Sequence, residues 1–196
     1  MILSPQDKYT FVAIPRTGST TVHVALSDGP IPEPKFHHAT ISEILEWCPK
    51  SRSYFKFAFV RNPWDRLLSA YCEFDKHRGR KYSHGIKMPL MLLNRYRDFN
   101  DFCEKLPDKY WRHDVHFKPQ VDFVLEHGRN VMDFVGRYES FGEDLERLGK
   151  IIDFPPQTVH HKKTCHGDYR GAYTDKTQKI VEDIFAADIE EFGYEF

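Results

Sequence analysis

Three short runs of almost unbroken apolar residues punctuate the chain: "YTFVAI" (Tyr9 to Ile14), "YFKFAFV" (Tyr54 to Val60) and "VMDFVGR" (Val131 to Arg137). Runs of this length, rich in Phe and Val and closed by turn residues, predict strands. The second shows almost no polar alternation, which predicts a strand covered on both faces, as in a parallel sheet. Between these runs the apolar spacing becomes helical. A helix is predicted to open near Thr20 or Thr21, and "DGPIPEPKF", with three prolines, is a loop. Thr40 and Glu43 form a capping-box pattern ahead of Ile44, Leu45 and Trp47. Asn62 and Pro63 mark a further helix start. In that helix Trp64, Leu67, Leu68, Tyr71 and Cys72 share one face, with Asp65, Arg66 and Glu73 away from it. A short helix is predicted over Asn100 to Leu106. Ser140 and Glu143 make a second capping box before Leu145, Leu148, Ile151 and Ile152. A last helix from near Thr174 carries Ile180, Val181, Ile184, Phe185, Ile189 and Phe192, and ends at Gly193.

Strands alternating with amphipathic helices predict an α/β fold, a three-layer domain with a mostly parallel central sheet flanked by helices. At 196 residues the chain is read as one domain, 1–196. With 40% hydrophobic and 29% charged residues it is globular rather than disordered. A net charge of -1 gives no general attraction to nucleic acid, so any anion site must be local. No apolar run approaches a membrane span, and the apolar start is too short for a secretory leader. The cysteines (Cys48, Cys72, Cys103, Cys165) form no C-x-x-C pair, which suits reduced thiols; a cytoplasmic location is the expectation.

In open α/β sheets ligands sit beyond the carboxyl ends of the strands, and two unusual turns fall at such ends. The first, "IPRTGSTT", spoils the P-loop pattern: Ala13 stands where the first Gly belongs, and Ser19 rather than Lys follows Gly18. Gly18 still lets the backbone approach an anion, the following helix offers its N–H groups, and Ser19, Thr20 and Thr21 add hydroxyls. Arg16 adds a permanent forked cation. The second turn, "FVRNPW", ends its strand in Arg61, where a Walker B strand would end in a metal-holding Asp. Ser69 lies two turns into the helix beyond. A nucleotide carrying phosphates at two separate places satisfies both turns.

Together, "IPRTGSTT" and "FKFAFVRNPWDRLLSAY" resemble the sulfotransferases that use 3′-phosphoadenosine 5′-phosphosulfate (PAPS), in particular the carbohydrate-type family 2 group. The likeness extends to "KFHHATISEIL", "FVGRYESFGEDLERL", "DYRGAYTDKT" and "AADIEEFGYEF". It implies a P-loop-like sulfotransferase fold and transfer of a sulfuryl group from PAPS to a hydroxyl of a carbohydrate or glycan-like acceptor. It further implies that Arg16, Thr17, Gly18, Ser19, Thr20 and Thr21 grip the 5′-phosphosulfate, and that Arg61 and Ser69 bind the 3′-phosphate. Arg170 matches a residue on a loop that related enzymes close over the nucleotide. The family's usual first-loop cation is Lys. Arg16 in its place stabilises charge as a fixed cation but is a poor proton donor.

Sulfuryl transfer needs in-line geometry, charge stabilisation and a base for the acceptor hydroxyl. His38 matches the family histidine that serves as base; its neighbour His37 is an alternative, and His116 in "DVHFKPQ" is a third candidate. His23, in the helix after the first loop, reads as a packed or capping residue. Tyr138 lies near the adenine or in the core. The basic stretch from Lys76 to Arg97 is a solvated surface or a wall attracting an anionic acceptor. Tyr110, Trp111 and Phe117 stack on sugar rings or belong to the core. The cluster His160, His161, Cys165 and His166 lacks the spacing of a zinc site, and the chemistry needs no metal. Two other functions are compatible with the same residues: an ATP-dependent small-molecule kinase, and a catalytically inactive nucleotide-binding module.

Overall fold

The computed structural model describes residues 1–26, 37–76, 96–107, 114–153 and 166–196. Most of the basic stretch, Tyr110, Trp111, and the His160, His161 and Cys165 cluster therefore lie outside the described residues. The chain divides into two compact units, Met1–Arg61 with Gln120–Lys162, and Asn62–Pro119 with Lys163–Phe196.

The first unit is mixed α/β, built on a mostly parallel four-stranded sheet with helices. Its strands are β1 (Ile2–Ser4), β2 (Tyr9–Val12), β3 (Phe55–Val60) and β6 (Phe134–Arg137), in the order β1-β2-β3-β6. β2 pairs parallel with β3, Phe11 opposite Phe57, and β3 pairs parallel with β6, Phe57 opposite Phe134. β1 adds antiparallel to the free edge of β2. A two-stranded ribbon, β4 (Leu125–Glu126) with β5 (Arg129–Asn130), precedes β6. The helices are α1 (Ser19–Leu26), α2 (Ile41–Trp47), the short α5 (Val121–Val124) and α6 (Phe141–Ile152). Alternate strand residues Tyr9, Phe11, Phe57 and Phe59 join Val22 of α1 and Phe141, Leu145 and Leu148 of α6 in one buried cluster. The intervening Val12, Ala58 and Val60 are equally buried, so β3 is covered on both faces, as its composition predicts. Truncating one such Phe to Ala costs about 3–5 kcal/mol.

The second unit is helical: α3 (Pro63–Asp75), α4 (Phe99–Lys105), α7 (Asp175–Ile184) and α8 (Ala186–Phe192), with a 3₁₀ turn over Tyr169–Ala172. Trp64, Leu67, Leu68 and Tyr71 of α3 pack with Phe102, Phe117, Val181 and Phe185. Phe117 is thus a core residue. No helix among the described residues is long and apolar enough to cross a membrane.

Local signals behave as their chemistry requires at most starts. Thr40 and Glu43 form both halves of the capping box, and Asn62 accepts from the Trp64 N–H ahead of Pro63. Four expectations need correction. Ser140 makes no side-chain cap; its hydroxyl donates instead to the Asp144 carboxylate at 2.9 Å, the stronger acceptor. Arg66 is buried rather than facing away, because its Nη1 reaches the Lys118 carbonyl at 2.9 Å. The third strand begins at Phe134, since Asn130 ends the ribbon and its side chain accepts from the Met132 N–H. The last helix breaks at Phe185 (φ -107°, ψ 24°), where no Gly or Pro signals it.

Candidate active site

The carboxyl ends of β2, β3 and β6 lie side by side in the first unit, and each is followed by an unusual residue. After β2 the backbone enters the left-handed region twice within three residues, at Arg16 (φ 69°) and Gly18 (φ 85°). An arginine in that region is uncommon and costs roughly 1 kcal/mol or more, a cost borne where surrounding contacts over-determine the turn. The buried Thr17 supplies one such contact, its hydroxyl donating to the Ile14 carbonyl at 3.0 Å. The Gly18 carbonyl accepts from the N–H groups of Thr21 (2.9 Å) and Val22 (3.3 Å), so α1 starts on the loop itself. Ser19 is buried, Thr21 half-buried and Thr20 exposed. A Cβ at Gly18 would stand 2.6 Å from the Phe141 ring, so any side chain there would force that ring to move.

After β3 comes Arg61, only 2% exposed. Its peptide is clamped by the Gln120 carboxamide, which accepts from the Arg61 N–H (2.9 Å) and donates to the Arg61 carbonyl (2.8 Å). Its Nη1 donates to the Arg16 carbonyl at 3.2 Å, and the guanidinium lies over the Tyr138 ring, 4.1 Å from the centroid. Tyr138 follows β6, and its N–H donates to the Val60 carbonyl at 2.7 Å. A fixed cation is thereby held against the first loop by hydrogen bonding and by cation–π attraction.

His38 stands beside the same strand. Its Nδ1 lies 2.6 Å from the Ala13 carbonyl. A carbonyl only accepts, so Nδ1 carries the hydrogen and Nε2 holds the lone pair of the neutral ring. That is the form a general base requires. The His37 ring meets His38 edge-on (4.4 Å, 88°) and stacks on His23 (4.9 Å, 19°), while the Met1 amine donates to the His37 carbonyl. His23 is fully buried against Phe11, as a packed residue should be. Burial pushes its imidazole down to about 4, with the Met1 amine and His37 acting in the same direction.

Of the expected site residues, the first unit thus brings together Arg16, Thr17, Gly18, Ser19, Thr20, Thr21, Arg61, His37 and His38. The others belong to the second unit. Ser69 is buried within α3, and Arg170 is exposed on the 3₁₀ turn beside Asp168. His116 pairs with Asp114 through Nδ1 at 2.8 Å and packs edge-on against Phe74. Gln120 escaped the sequence reading, although a Gln between Pro119 and an apolar run is the available signal; it proves fully buried. The donor set (two permanent cations, hydroxyls, a left-handed turn and a helix start) fits an anionic nucleotide and offers no carboxylate cage for a magnesium ion. Among the described residues, no group of three His, Cys, Asp or Glu is placed to hold a metal.

The first unit is thus a mixed α/β structure whose mostly parallel sheet carries a left-handed loop and a buried arginine at its strand mouths. A model of the sulfotransferase family matches residues 1–195, and the chain belongs to that family, in its family 2 branch. It is 27% identical over 164 residues to carbohydrate sulfotransferase 14 of Danio rerio, covering 73% of this chain and 44% of the relative. It is 26% identical over 174 residues to carbohydrate sulfotransferase 10 of Xenopus laevis, covering 72% and 48%. An uncharacterized protein of Archaeoglobus fulgidus is 25% identical over 104 residues, 53% of this chain and 72% of that protein. The chain spans less than half the length of the two carbohydrate sulfotransferases.

Proposed function

We propose that this protein transfers a sulfuryl group from PAPS to a hydroxyl of a carbohydrate or glycan-like acceptor. The first unit's sheet is read as the centre of a three-layer, P-loop-like sulfotransferase domain. The observation that carries the reading is the left-handed Arg16–Gly18 loop braced by Arg61, with the Nε2 lone pair of His38 supplied from beside the same strand. The relatives' names support a carbohydrate acceptor.

In this mechanism the loop amides, Ser19, Thr20 and Thr21 hold the 5′-phosphosulfate, and Arg61 holds the 3′-phosphate. The roles of Ser69 and Arg170 rest on the family pattern alone. His38 Nε2 takes the proton of the acceptor hydroxyl as the acceptor oxygen bonds to sulfur. The bond between sulfur and the bridging oxygen breaks, and Arg16 neutralises the charge left on 3′-phosphoadenosine 5′-phosphate. Arg16 does so as a fixed cation, not as an acid.

The test is a panel of mono- and oligosaccharides incubated with protein and PAPS, followed by mass spectrometry. A gain of one SO₃ on an acceptor, abolished in His38→Ala, supports the reading. Tight nucleotide binding with no transfer to any acceptor favours an inactive module instead.

A further inference from the structure

His37 and His38 are adjacent, yet the structure gives their rings different work. His38 is tied by Nδ1 to the strand at Ala13. His37 is engaged on two sides, its face on His23 and an edge contact with His38. The contacts continue inward: His23 meets Phe11 edge-on at 5.7 Å, and Phe11 stacks on Phe57 at 5.1 Å. A column of five rings therefore runs from β3 through β2 and α1 to His38.

From this column we infer that His37 is a positioning residue for His38, braced from behind by His23, and that it carries no proton in the reaction. The inference rests on the proposed role of His38 as base. The hydrogen bond at Nδ1 sets the tautomer of the His38 imidazole, and a ring contact acts on its plane. A second contact, against a ring that cannot retreat, fixes the plane. An edge-on aromatic contact of this kind favours one ring orientation by up to about tenfold. His37 cannot retreat, because the ring behind it is fully buried and packed on the sheet. Burial also favours the neutral form of that ring through the range in which the base works. What position 37 contributes is a ring, and the role of a ring is separable from that of a proton carrier.

The test compares His37→Phe, which keeps a ring, with His37→Ala, which does not; His37→Leu serves if the alanine variant fails to fold. Two readouts are taken on each protein: kcat and donor KM for sulfuryl transfer, and the His38 tautomer from ¹⁵N-edited imidazole spectra, assigned with His38→Gln. The expected result is that His37→Phe keeps kcat within about threefold and His38 in the Nδ1–H form. His37→Ala (or Leu) is expected to lose about tenfold or more in kcat at unchanged donor KM, with His38 populating both tautomers. A phenylalanine variant as inactive as the alanine one would overturn the inference, since a proton would then be needed at 37. So would an alanine variant with unaltered kcat and an unaltered His38 spectrum. Should the unmodified protein transfer nothing to any acceptor, the proposed activity fails, and the tautomer comparison alone decides whether His37 positions His38.

Discussion

Gly18 lies against the ring of Phe141: a Cβ on this glycine would stand 2.6 Å from Cε2, inside any tolerable contact. The same glycine has φ 85°, a region that side chains disfavour. The family loop is therefore closed by two independent demands, one from the core and one from the backbone. Gly18→Ala should lower stability by roughly 2–4 kcal/mol, seen as a shift in the urea midpoint. Adding Phe141→Leu should recover the steric part and leave the backbone part. Full recovery would mean that the left-handed turn carries no cost.

Arg61 is held from two directions, by the Arg16 carbonyl and by the face of Tyr138. Arg61→Lys retains the charge but loses the planar fork that makes both contacts. Affinity for 3′-phosphoadenosine 5′-phosphate should fall about tenfold or more in that variant by calorimetry. Tyr138→Phe should be nearly neutral and Tyr138→Leu intermediate, because the ring face and not the hydroxyl faces the guanidinium.

His23 predicts an acid-sensitive fold. Its folded value near 4 lies below the ordinary 6.5, so the unfolded chain takes up the proton first as pH falls. Its contribution is fully present above about pH 6.5 and is lost progressively down to about pH 4, by roughly 2–3 kcal/mol in all. Urea midpoints measured from pH 8 to pH 4 should drop across that window. In His23→Phe, which keeps the ring stack, the part of the drop owed to this residue should vanish.

Arg16 tests the chemistry of the loop. Arg16→Ala should reduce kcat by about 100-fold, the loss expected when a fixed charge facing the leaving group is removed. Arg16→Lys restores the residue usual in the family and should keep turnover, with any change falling on kcat. An alanine variant with full turnover would remove Arg16 from the mechanism.

Where a single residue type decides the outcome, the sequence was readable. Asn62 with Pro63, the Thr40–Glu43 box and the Phe-rich second run each mark their element within a residue or two, because capping geometry and two-sided burial admit few alternatives. The candidate site's place at the strand ends was legible in the same way at Gly18 and Arg61, whose types are unusual for their positions. What was missed depends on tertiary partners. The Gln120 clamp joins residues 59 positions apart and the Arg66 contact to Lys118 spans 52, whereas the Ser140 exception is local, its hydroxyl turning to the Asp144 carboxylate of the helix it precedes.

The central claim is that the loop from Arg16 to Gly18, braced by Arg61, receives a bis-phosphorylated adenosine. Calorimetric titration with 3′-phosphoadenosine 5′-phosphate in magnesium-free buffer tests it most directly. The account predicts a single saturable event, at least tenfold weaker in Arg61→Ala and weaker still when Arg16→Ala is added. An absence of heat with this ligand, alongside tight binding of magnesium–ATP that ignores both substitutions, would contradict it.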